Sequence, residues 1–420
     1  MKGSAGDGGA SVKKILMIGI HPGYAELFRH DNDLDLYVLE EKDIYIRDLA
    51  GYEAFGIREL RLGEYQQSDG FLDAAIAWHD EVGFDAVVPC WEYSVQAAGL
   101  LSERLGLKFP GMRAVDACTD KVRLRQAASE IGVAQPRFAP VRSVQDVAAF
   151  FDGRPIIVKP SNRRQSVGVV RIDEASEITA AWQECIDSEE DDGLANRPLQ
   201  WRFIAEDYVE GYQVSVETLV SDGHVVFDNV SLLGTPTGGK YFPVMSVVVP
   251  APIPQEHAAA VTEEAHRLLA GLDVGFGMFH SEWKIDDGRP QLIECAARVP
   301  GAFIPELVAK AYGFNLYGSL VRMLAGLDPL LIDHACGVAG IRHFTVPSGV
   351  LTEVRGIEKL GDLRDVFAYR IKMAPGERVP SFKDSWRRAG YVAAKCANAE
   401  QLEHTFRDID DTVEFVVDPA

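Results

Sequence analysis

The sequence predicts an α/β fold, because short strand patterns alternate with helical patterns along the first quarter of the chain. Continuous apolar runs, typical of buried strands, occupy Val12–Ile20, Leu34–Leu39 and Asp85–Pro89. Helical spacing of apolar residues marks Phe71–Val82 and Val95–Leu105. Strands that alternate with helices in this way form a parallel sheet. The turn after the first strand lacks G-x-G-x-x-G, the fingerprint of dinucleotide-binding folds.

A second α/β unit begins near Gly111. It combines a predicted helix at Lys121–Ile131 with strands at Pro155–Lys159 and Gly168–Ile172. The acidic stretch that follows, Asp187–Pro198, is predicted to be a solvated loop.

From Phe203 onward the strand patterns become longer and more antiparallel in character. Four segments show this pattern in succession: FIAEDYV, YQVSVETLV, HVVFDNVSL and YFPVMSVVV. A helix is predicted at Ile304–Tyr312, and the residues from Asp328 onward are predicted to form a further α+β module.

Composition limits the classes of function. The 420 residues suffice for about three domains, and the formal charge of -21 argues against nucleic acid or an anionic membrane as a partner. The six cysteines are scattered without C-x-x-C, so neither a zinc site nor a disulfide framework is indicated. Met1–Ser11 is rich in Gly, Ala and Ser and is predicted to be a disordered tail rather than a signal peptide. We expect a cytoplasmic protein. Its oligomeric state is left open by the sequence, and a homodimer is one candidate.

The segment Gly234–Tyr241 (GTPTGGKY) nearly matches the phosphate-binding P-loop pattern. Tyr241 stands where that pattern requires Ser or Thr, and a strand pattern follows where a helix is needed. We therefore expect a Gly-rich loop over a site, or a surface turn, rather than a P-loop.

Two carboxylates flank a tight polar turn later in the chain. Glu282 and Glu294 are equidistant from Gly288, so a β-hairpin folded about that residue places them opposite each other, with Cβ atoms about 5 Å apart. Like charges so placed are destabilising unless a divalent cation lies between them, and Mg²⁺ prefers such oxygen ligands. The alternative is a shifted register with both groups solvated. Arg298 lies four residues beyond Glu294, and a cation beside such a site suggests a phosphate-bearing ligand.

Four stretches in order, the last of which contains this hairpin, resemble the ATP-grasp ligases over nearly the whole chain. They are TDKVRLRQAASEIGVAQPRF, RPIIVKPSNRRQSVGVV, FIAEDYVEGYQVSVE and the segment from His280 to Gly301. The resemblance implies an ATP-grasp fold with an N-terminal parallel-sheet domain, a two-lobed ATP-binding core and a C-terminal α+β module. The implied divisions are a tail at 1–11, an N-terminal domain at 12–111, a small lobe at 112–205, a large lobe at 206–327 and a C-terminal module at 328–420.

The resemblance also assigns the positively charged part of the site. Lys121 and Lys159 correspond to the lysines that contact the phosphates of ATP, and Arg298 corresponds to the arginine that steadies the transferred phosphoryl group. Ser166 and Gly168 lie in the glycine-bearing loop that closes over the phosphates. Taken singly, each lysine could be structural, but phosphoryl transfer to a carboxylate needs such cations together with a lid.

The remaining positions concern adenosine and metal. Glu206 and Val209 correspond to the segment that binds adenine, and Gln213 stands where the ribose-binding acid is usual. Glu282 and Glu294 correspond to the ligands of Mg²⁺, with Mn²⁺ as an alternative ion.

Three departures from the family pattern are present. Ala296 replaces the Asn that is usually a further magnesium ligand, Gln213 replaces an acid, and the glycine-bearing loop contains Arg163-Arg164. A nucleotide-binding protein without catalysis is therefore a second hypothesis.

The C-terminal stretch resembles the corresponding module of the L-amino acid ligases, which join two amino acids. Val244 stands where those enzymes usually carry a glutamate for the donor's α-amine, and Ala302 stands where some carry a bulky aromatic residue. The implied activity is amide formation between amino acids, with glutamate as a donor that reacts through its γ-carboxylate. An exposed Arg163-Arg164 pair could hold its second carboxylate. The alternatives are a carboxylase-like ATP-grasp enzyme or a non-catalytic ATP sensor.

Overall fold

The computed structural model describes residues 12–190, 193–236, 239–379 and 388–418. The predicted disordered tail, residues 1–11, lies outside the described residues.

Four parallel strands form the N-terminal sheet, in the order β3-β2-β1-β4. The strands are β1 (Lys13–Ile18), β2 (Leu34–Glu40), β3 (Glu59–Leu62) and β4 (Ala86–Pro89). The helices are α1 (Pro22–His30), α2 (Lys42–Arg47), α3 (Leu49–Glu53), α4 (Leu72–Val82) and α5 (Val95–Leu105). The predicted parallel sheet is confirmed. Strand β3 was not predicted from the sequence, because none of its residues is buried and they show no apolar run.

The small lobe is an antiparallel sheet with the order β5-β8-β6-β7, reached through two helices. Its strands are β5 (Phe138–Val141), β6 (Ile156–Pro160), β7 (Val170–Ile172) and β8 (Phe203–Asp207). The helices are α6 (Met112–Cys118), α7 (Lys121–Ile131), α8 (Val144–Phe150) and α9 (Ile178–Ile186). The observed α7 has the predicted bounds because Asp120 caps its first turn and Gly132, with φ of 80°, ends it.

A large antiparallel sheet of eight strands follows, with the order β13-β12-β9-β10-β11-β14-β17-β16. Its first five strands in sequence are β9 (Tyr212–Ser221), β10 (His224–Gly234), β11 (Ser246–Val249), β12 (Gly277–Asp286) and β13 (Arg289–Ala296). The helices of this region are α10 (Gln255–Gly271), α11 (Ile304–Tyr312) and α12 (Leu316–Leu324). Val214, Trp283 and Leu292 pack with α10 on one face, and Leu219 and Met278 pack with α11 and α12 on the other.

The C-terminal residues extend this large sheet. They supply β14 (Val338–His343), β16 (Val366–Ile371) and β17 (Gly390–Cys396), and β14 pairs directly with β11. A separate two-stranded sheet pairs β15 (Val350–Arg355) with β18 (Glu414–Asp418), and α13 (Ala399–Thr412) completes the element order. The division predicted at 327/328 therefore lies within one continuous sheet, and the domain bounds stay a prediction.

The segment between α9 and β8 differs from its prediction as a solvated loop. The Glu190 side chain has no exposed surface and pairs with Arg164, and Arg197 forms two hydrogen bonds of 2.8 Å with Glu41 of the N-terminal domain. Gln66 bonds both Gly193 and Ala195. The described part of the segment is only partly solvated, because Glu190 and Arg197 have partners in other parts of the chain.

The Gly-rich segment Gly234–Tyr241 connects two antiparallel strands, β10 and β11, so it lacks the helix that a P-loop requires. The strand predicted from Tyr241 is shorter and begins at Ser246. The preceding residues turn toward the small lobe, where Lys240 pairs with Glu177 at 2.7 Å.

Within the described ranges, none of the helices has both the length and the apolar content that crossing a membrane requires.

Candidate active site

A cavity of about 110 Å³ lies between the small lobe and the large sheet. Eight of the predicted site residues line it: Lys121, Lys159, Ser166, Glu206, Val209, Gln213, Glu282 and Glu294. Gly168 lies between two further lining residues, Val167 and Val169. The apolar part of the lining, which includes Ile157, Val167, Val169, Val209, Phe242 and Ile293, suits a purine ring.

Positive charge is concentrated around one buried carboxylate of this cavity. Glu206 on β8 accepts from Lys159 Nζ at 2.6 Å and from Arg125 Nε at 2.8 Å, and all three side chains are buried. Burial raises the pKa of Glu206, but Arg125 and Lys159 outweigh it and hold the pKa at about 2. Burial lowers the pKa of Lys159, Glu206 opposes that effect, and the nearby Arg125 and Lys121 add to it. The surplus of cations over carboxylate here suits a polyphosphate.

Lys121, the first residue of α7, links the small-lobe loop to the hairpin. Its Nζ lies 2.9 Å from Glu294 Oε1 and donates to the carbonyl of Arg163 at 2.9 Å. Lys121 is buried, so this cation lies at the boundary between the two halves of the cavity rather than on an exposed helix face.

The loop between β6 and β7 has a strained backbone. Gln165 and Ser166 adopt φ of 58° and 59°, a left-handed conformation that is uncommon outside glycine. Gly168 has φ of 72°, and a Cβ there would lie 2.9 Å from the carbonyl oxygen of Cys185. Strain of this kind is frequent at ligand-clamping loops.

The two arginines of this loop are buried, not exposed as the sequence suggested. The Arg163 guanidinium lies 4.1 Å from the Trp201 ring centroid, and Arg164 Nε donates to Glu190 at 2.7 Å. Because Glu190 already pairs with Arg164, the suggestion that the pair holds a substrate carboxylate gains no support from this arrangement.

The hairpin of β12 and β13 places Glu282 directly opposite Glu294, as predicted. The turn is Asp287-Gly288, with φ of 48° and 75°, and a β-bulge follows Glu282 in the register. Gln213 Nε2 donates to Glu282 Oε2 at 2.6 Å, and His280 Nε2 lies 3.2 Å from Glu282 Oε1. Burial raises the pKa of Glu282, but the hydrogen bond and charge of His280, together with Gln213 and Lys121, outweigh burial and lower the pKa.

This donor set fits a magnesium ion that a nucleotide helps to hold. Among the residues that the structure describes, no cluster of three or more His, Cys, Asp or Glu side chains is arranged to hold a metal ion. Mg²⁺ is commonly bound by one or two carboxylates together with phosphate oxygens and water. Glu282 and Glu294 supply the two carboxylates, and Ala296, across from His280, supplies no ligand atom.

Arg298 lies in an adjacent cluster at the carboxyl edge of the N-terminal sheet. Its Nε donates to Glu92 at 2.7 Å, and Glu92 lines a second, larger crevice of about 610 Å³. Burial opposes the charge of Arg298, but Glu92 outweighs it and raises the pKa. The two cavities have no lining residue in common. Arg298 lines neither of them, and the crevice reaches the Arg298–Glu92 pair through Glu92.

His21, which caps the start of α1 in the turn after β1, belongs to the same cluster. Its Nδ1 accepts from the backbone N–H of Gly23 at 3.1 Å, and its ring packs edge-on to Trp91. Burial lowers its pKa to about 4, and the charges of Arg298 and Arg164 add to this effect, so the imidazole is neutral near pH 7.

Four residues of this region were missed from the sequence. Glu92 and His21 follow strands of a parallel sheet, at the carboxyl ends where ligands of such folds bind, and that position was an available signal. Arg125 and Glu217 gave no such signal, because Glu206, which Arg125 bonds, and His280, which Glu217 bonds, are distant from them in sequence.

Comparisons with known proteins agree with this geometry. Residues 153–306 match the family described as "ATP-grasp domain", and residues 342–418 match "L-amino acid ligase C-terminal domain 2". Alanine–anticapsin ligase of Bacillus subtilis (strain 168) is 25% identical over 70% of this chain, which spans 66% of that enzyme. The L-arginine-specific L-amino acid ligase of Bacillus subtilis is 22% identical over 93% of this chain and 88% of its own length.

Among solved structures, the L-amino acid ligase from Bacillus licheniformis superposes with a TM-score of 0.76 at 20% identity. The match covers 97% of this chain and 99% of that one, and at this identity it shows the shared fold. The chain therefore contains an ATP-grasp domain followed by an L-amino acid ligase C-terminal domain, and it resembles the L-amino acid ligases in sequence and in fold.

Proposed function

We propose that the protein activates the carboxylate of one amino acid with ATP and joins it to the amine of a second. The observation that carries this proposal is one cavity in which Lys121 and Lys159 face the opposed carboxylates Glu282 and Glu294. Matches to relatives named as amino acid ligases, and to the C-terminal domain of that family, support amino acids as the substrates.

In the first step, a carboxylate oxygen of the donor attacks the γ-phosphorus of ATP and ADP leaves. Lys121 and Lys159 neutralise the phosphates, and Glu282 and Glu294 would hold the Mg²⁺. When bound, Mg²⁺ neutralises negative charge on the phosphates. Arg298, oriented by Glu92, steadies the phosphoryl group as it transfers.

In the second step, the acceptor amine attacks the acyl carbon, phosphate leaves, and the amine loses a proton. We assign the second substrate to the large crevice, because Glu92 lines it and also holds Arg298. Crevice residues such as Tyr93 and Gln96 come from the N-terminal domain, and Gln200 comes from the segment before β8.

Nucleotide binding requires the small lobe to move. A cavity of about 110 Å³ is well below the ~300 Å³ or more usual for a site of this ligand size. The ion pair of Lys121 with Glu294 crosses the cavity, so phosphates and metal must replace this contact when the nucleotide enters.

For the donor we propose glutamate, activated at its γ-carboxylate. Val244 offers no charge to an α-ammonium group, and burying that group without a partner is costly. With Arg164 already paired with Glu190, this part of the proposal depends on Val244.

The test is a pairwise amino acid screen for ATP-dependent phosphate release, with product masses confirmed. Fragmentation of a glutamate-containing product is expected to place the new amide on the γ-carbonyl. Efficient α-linked dipeptide formation from alanine-type donors would contradict the glutamate assignment. Phosphate release that depends on bicarbonate rather than on a second amino acid would contradict the ligase.

A further inference from the structure

A fully buried carboxylate lies on the same sheet face as the predicted metal ligands. Glu217 on β9 has no exposed surface, yet four groups bond it: Ser215 Oγ at 2.6 Å, Ser231 Oγ at 2.6 Å, Asn229 Nδ2 at 2.8 Å and His280 Nδ1 at 3.0 Å. Four partners occupy the approximate acceptor capacity of a carboxylate. Glu217 is therefore held in one position and has no capacity left for a ligand of its own.

His280 connects the fixed Glu217 side chain to Glu282, one of the predicted metal ligands. Its Nδ1 bonds Glu217, and its other nitrogen, Nε2, lies 3.2 Å from Glu282 Oε1. A ring held at both nitrogens has its orientation fixed. The far end of the network is anchored as well, because Tyr312 on α11 donates to Asn229 Oδ1 at 3.0 Å.

The register explains why His280 can occupy this position. His280 lies directly across from Ala296 on β13, and Glu282 lies directly across from Glu294. Ala296 has only a methyl group and offers Glu282 no polar partner, and the polar side chains that bond Glu282 are His280 of β12 and Gln213 of β9.

We propose that His280, fixed by Glu217, is a positioning residue that holds Glu282 in the orientation for the metal–nucleotide complex. The inference depends on the proposed function, because it assumes that Glu282 contacts that metal. His280 stabilises one rotamer of Glu282, and Gln213 holds the other oxygen of the same carboxylate. Partners of this kind behind a metal ligand typically change metal affinity by about 10–100-fold.

The experiment measures ADP binding by isothermal titration calorimetry, once with excess Mg²⁺ and once with a chelator. The ratio of the two affinities is the metal-dependent increment. We expect His280→Asn and Glu217→Gln each to reduce this increment about tenfold or more, while ADP affinity without metal stays within about twofold of wild type. The matched control is His266→Asn, since His266 also pairs with a carboxylate, Asp228, at 2.9 Å, but on the partly exposed side of α10.

Circular dichroism and the melting temperature without ligand establish that each variant is folded. If Glu217→Gln does not fold, Tyr312→Phe removes a single hydroxyl at the far end of the network and is expected to reduce the same increment, to a smaller extent. An unchanged increment in folded His280→Asn overturns the inference, as does an equal loss with and without metal, because that would indicate a purely structural role. The wild-type increment tests the proposed metal site, and the ratio of variant to wild type tests the positioning role, so the two failures are distinguishable.

Discussion

Two carboxylates remain opposed in the hairpin because each has its own counter-group. Glu282 receives hydrogen bonds from His280 and Gln213, and Glu294 pairs with Lys121. These contacts offset the repulsion that the register alone would produce. A bound metal must therefore compete with Lys121 for Glu294, whereas Glu282 keeps lone pairs for a metal while His280 and Gln213 remain bonded.

Removing the charge of either glutamate should abolish turnover without unfolding the protein. We expect Glu282→Gln and Glu294→Gln to lower the rate of phosphate release by roughly a thousandfold, which corresponds to about 4 kcal/mol in the activation free energy. The reason is that the Mg²⁺ proposed to neutralise the phosphates during transfer would lose one of its two carboxylate ligands. Glu263→Gln, on the exposed side of α10, is the matched control and should behave as wild type. Near wild-type phosphate release by Glu294→Gln would show that it does not bind the metal.

The cations should separate into binding and chemical roles. Lys159→Ala should raise the Michaelis constant for ATP, because Lys159 lines the nucleotide cavity. Arg298→Ala should mainly lower kcat, because Arg298 is held by Glu92 of the adjacent crevice and, in the proposed mechanism, steadies the transferring group. Steady-state measurements of kcat and of the Michaelis constant for ATP in both variants test this separation, with Arg289→Ala, at an exposed position, as the control. An effect of Arg298→Ala confined to the Michaelis constant for ATP would contradict its role.

His21 should make the fold sensitive to mild acid. Its pKa is about 4 in the folded protein, mainly through burial, and about 6.5 in an unfolded chain. The folded state therefore favours the neutral ring, so stability is lost as the pH falls from 6.5 toward 4, by up to about 3 kcal/mol. As the pH is lowered over this range, we expect the melting temperature of His21→Gln to decrease less than that of the wild type. The melting temperature of His404→Gln, in which the replaced side chain is exposed, should decrease as much as that of the wild type. Parallel curves for wild type and His21→Gln would refute this.

At the scale of elements, the hairpin was predictable as a pair but not in its detail. Folding the sequence about Gly288 gives Glu282 opposite Glu294, which the structure confirms. The actual turn is centred between Asp287 and Gly288, and near it Asp286 pairs with Arg289. That register would place Ile293 opposite Glu282. The bulge restores the glutamate pair, and no pattern in the sequence indicated it, because Ile293 enters the cavity and its carbonyl accepts from Arg125, a residue far away in the chain.

The segment before β8 shows where sequence patterns fail. Acidic residues in a run without apolar periodicity predict a solvated loop, and local sequence contains no information about Arg164 or the N-terminal domain. The structure supplies those partners, and the described residues join the N-terminal domain to the small lobe at Arg197–Glu41 and at Gln66. We therefore expect this connection to limit the motion of the small lobe that we propose for nucleotide entry.

Breaking the Arg197 connection should loosen that segment. Within the described residues, Arg197→Ala leaves the Glu41 carboxylate, which is 1% exposed, with only the backbone N–H groups of Tyr65 and Gln66 as partners, and we expect the free energy of unfolding to fall by about 1–3 kcal/mol. Hydrogen exchange of residues 193–200 should accelerate. Arg355→Ala is the control, because its partners Glu353 and Glu414 are exposed and such pairs contribute little. Unchanged exchange in Arg197→Ala would show that the connection does not hold the segment.

At the scale of the whole molecule, the changes in strand character along the chain could be predicted from the sequence. The joining of the C-terminal strands to the large sheet could not. The change from parallel to antiparallel patterns near Phe203 and the α+β character after Asp328 are both visible in the sequence. Strand order is not, because pairing between β11 and β14 joins residues about ninety positions apart, and apolar alternation does not specify a partner. The C-terminal module therefore extends the catalytic sheet instead of standing beside it.

This continuity predicts that the chain cannot be divided after Leu327. Removing residues 328–420 takes β14, β16 and β17 from the eight-stranded sheet, leaves β11 as an unpaired edge, and exposes core residues that pack against Ala339 and Ile341. An exposed apolar edge strand promotes aggregation. We therefore expect the truncated chain to be insoluble or to bind a hydrophobic dye, and to show no rise in melting temperature with ADP, where the full chain shows one. A soluble, cooperatively melting fragment that still binds ADP would instead establish residues 328–420 as an independent domain beside a self-sufficient ATP-binding core.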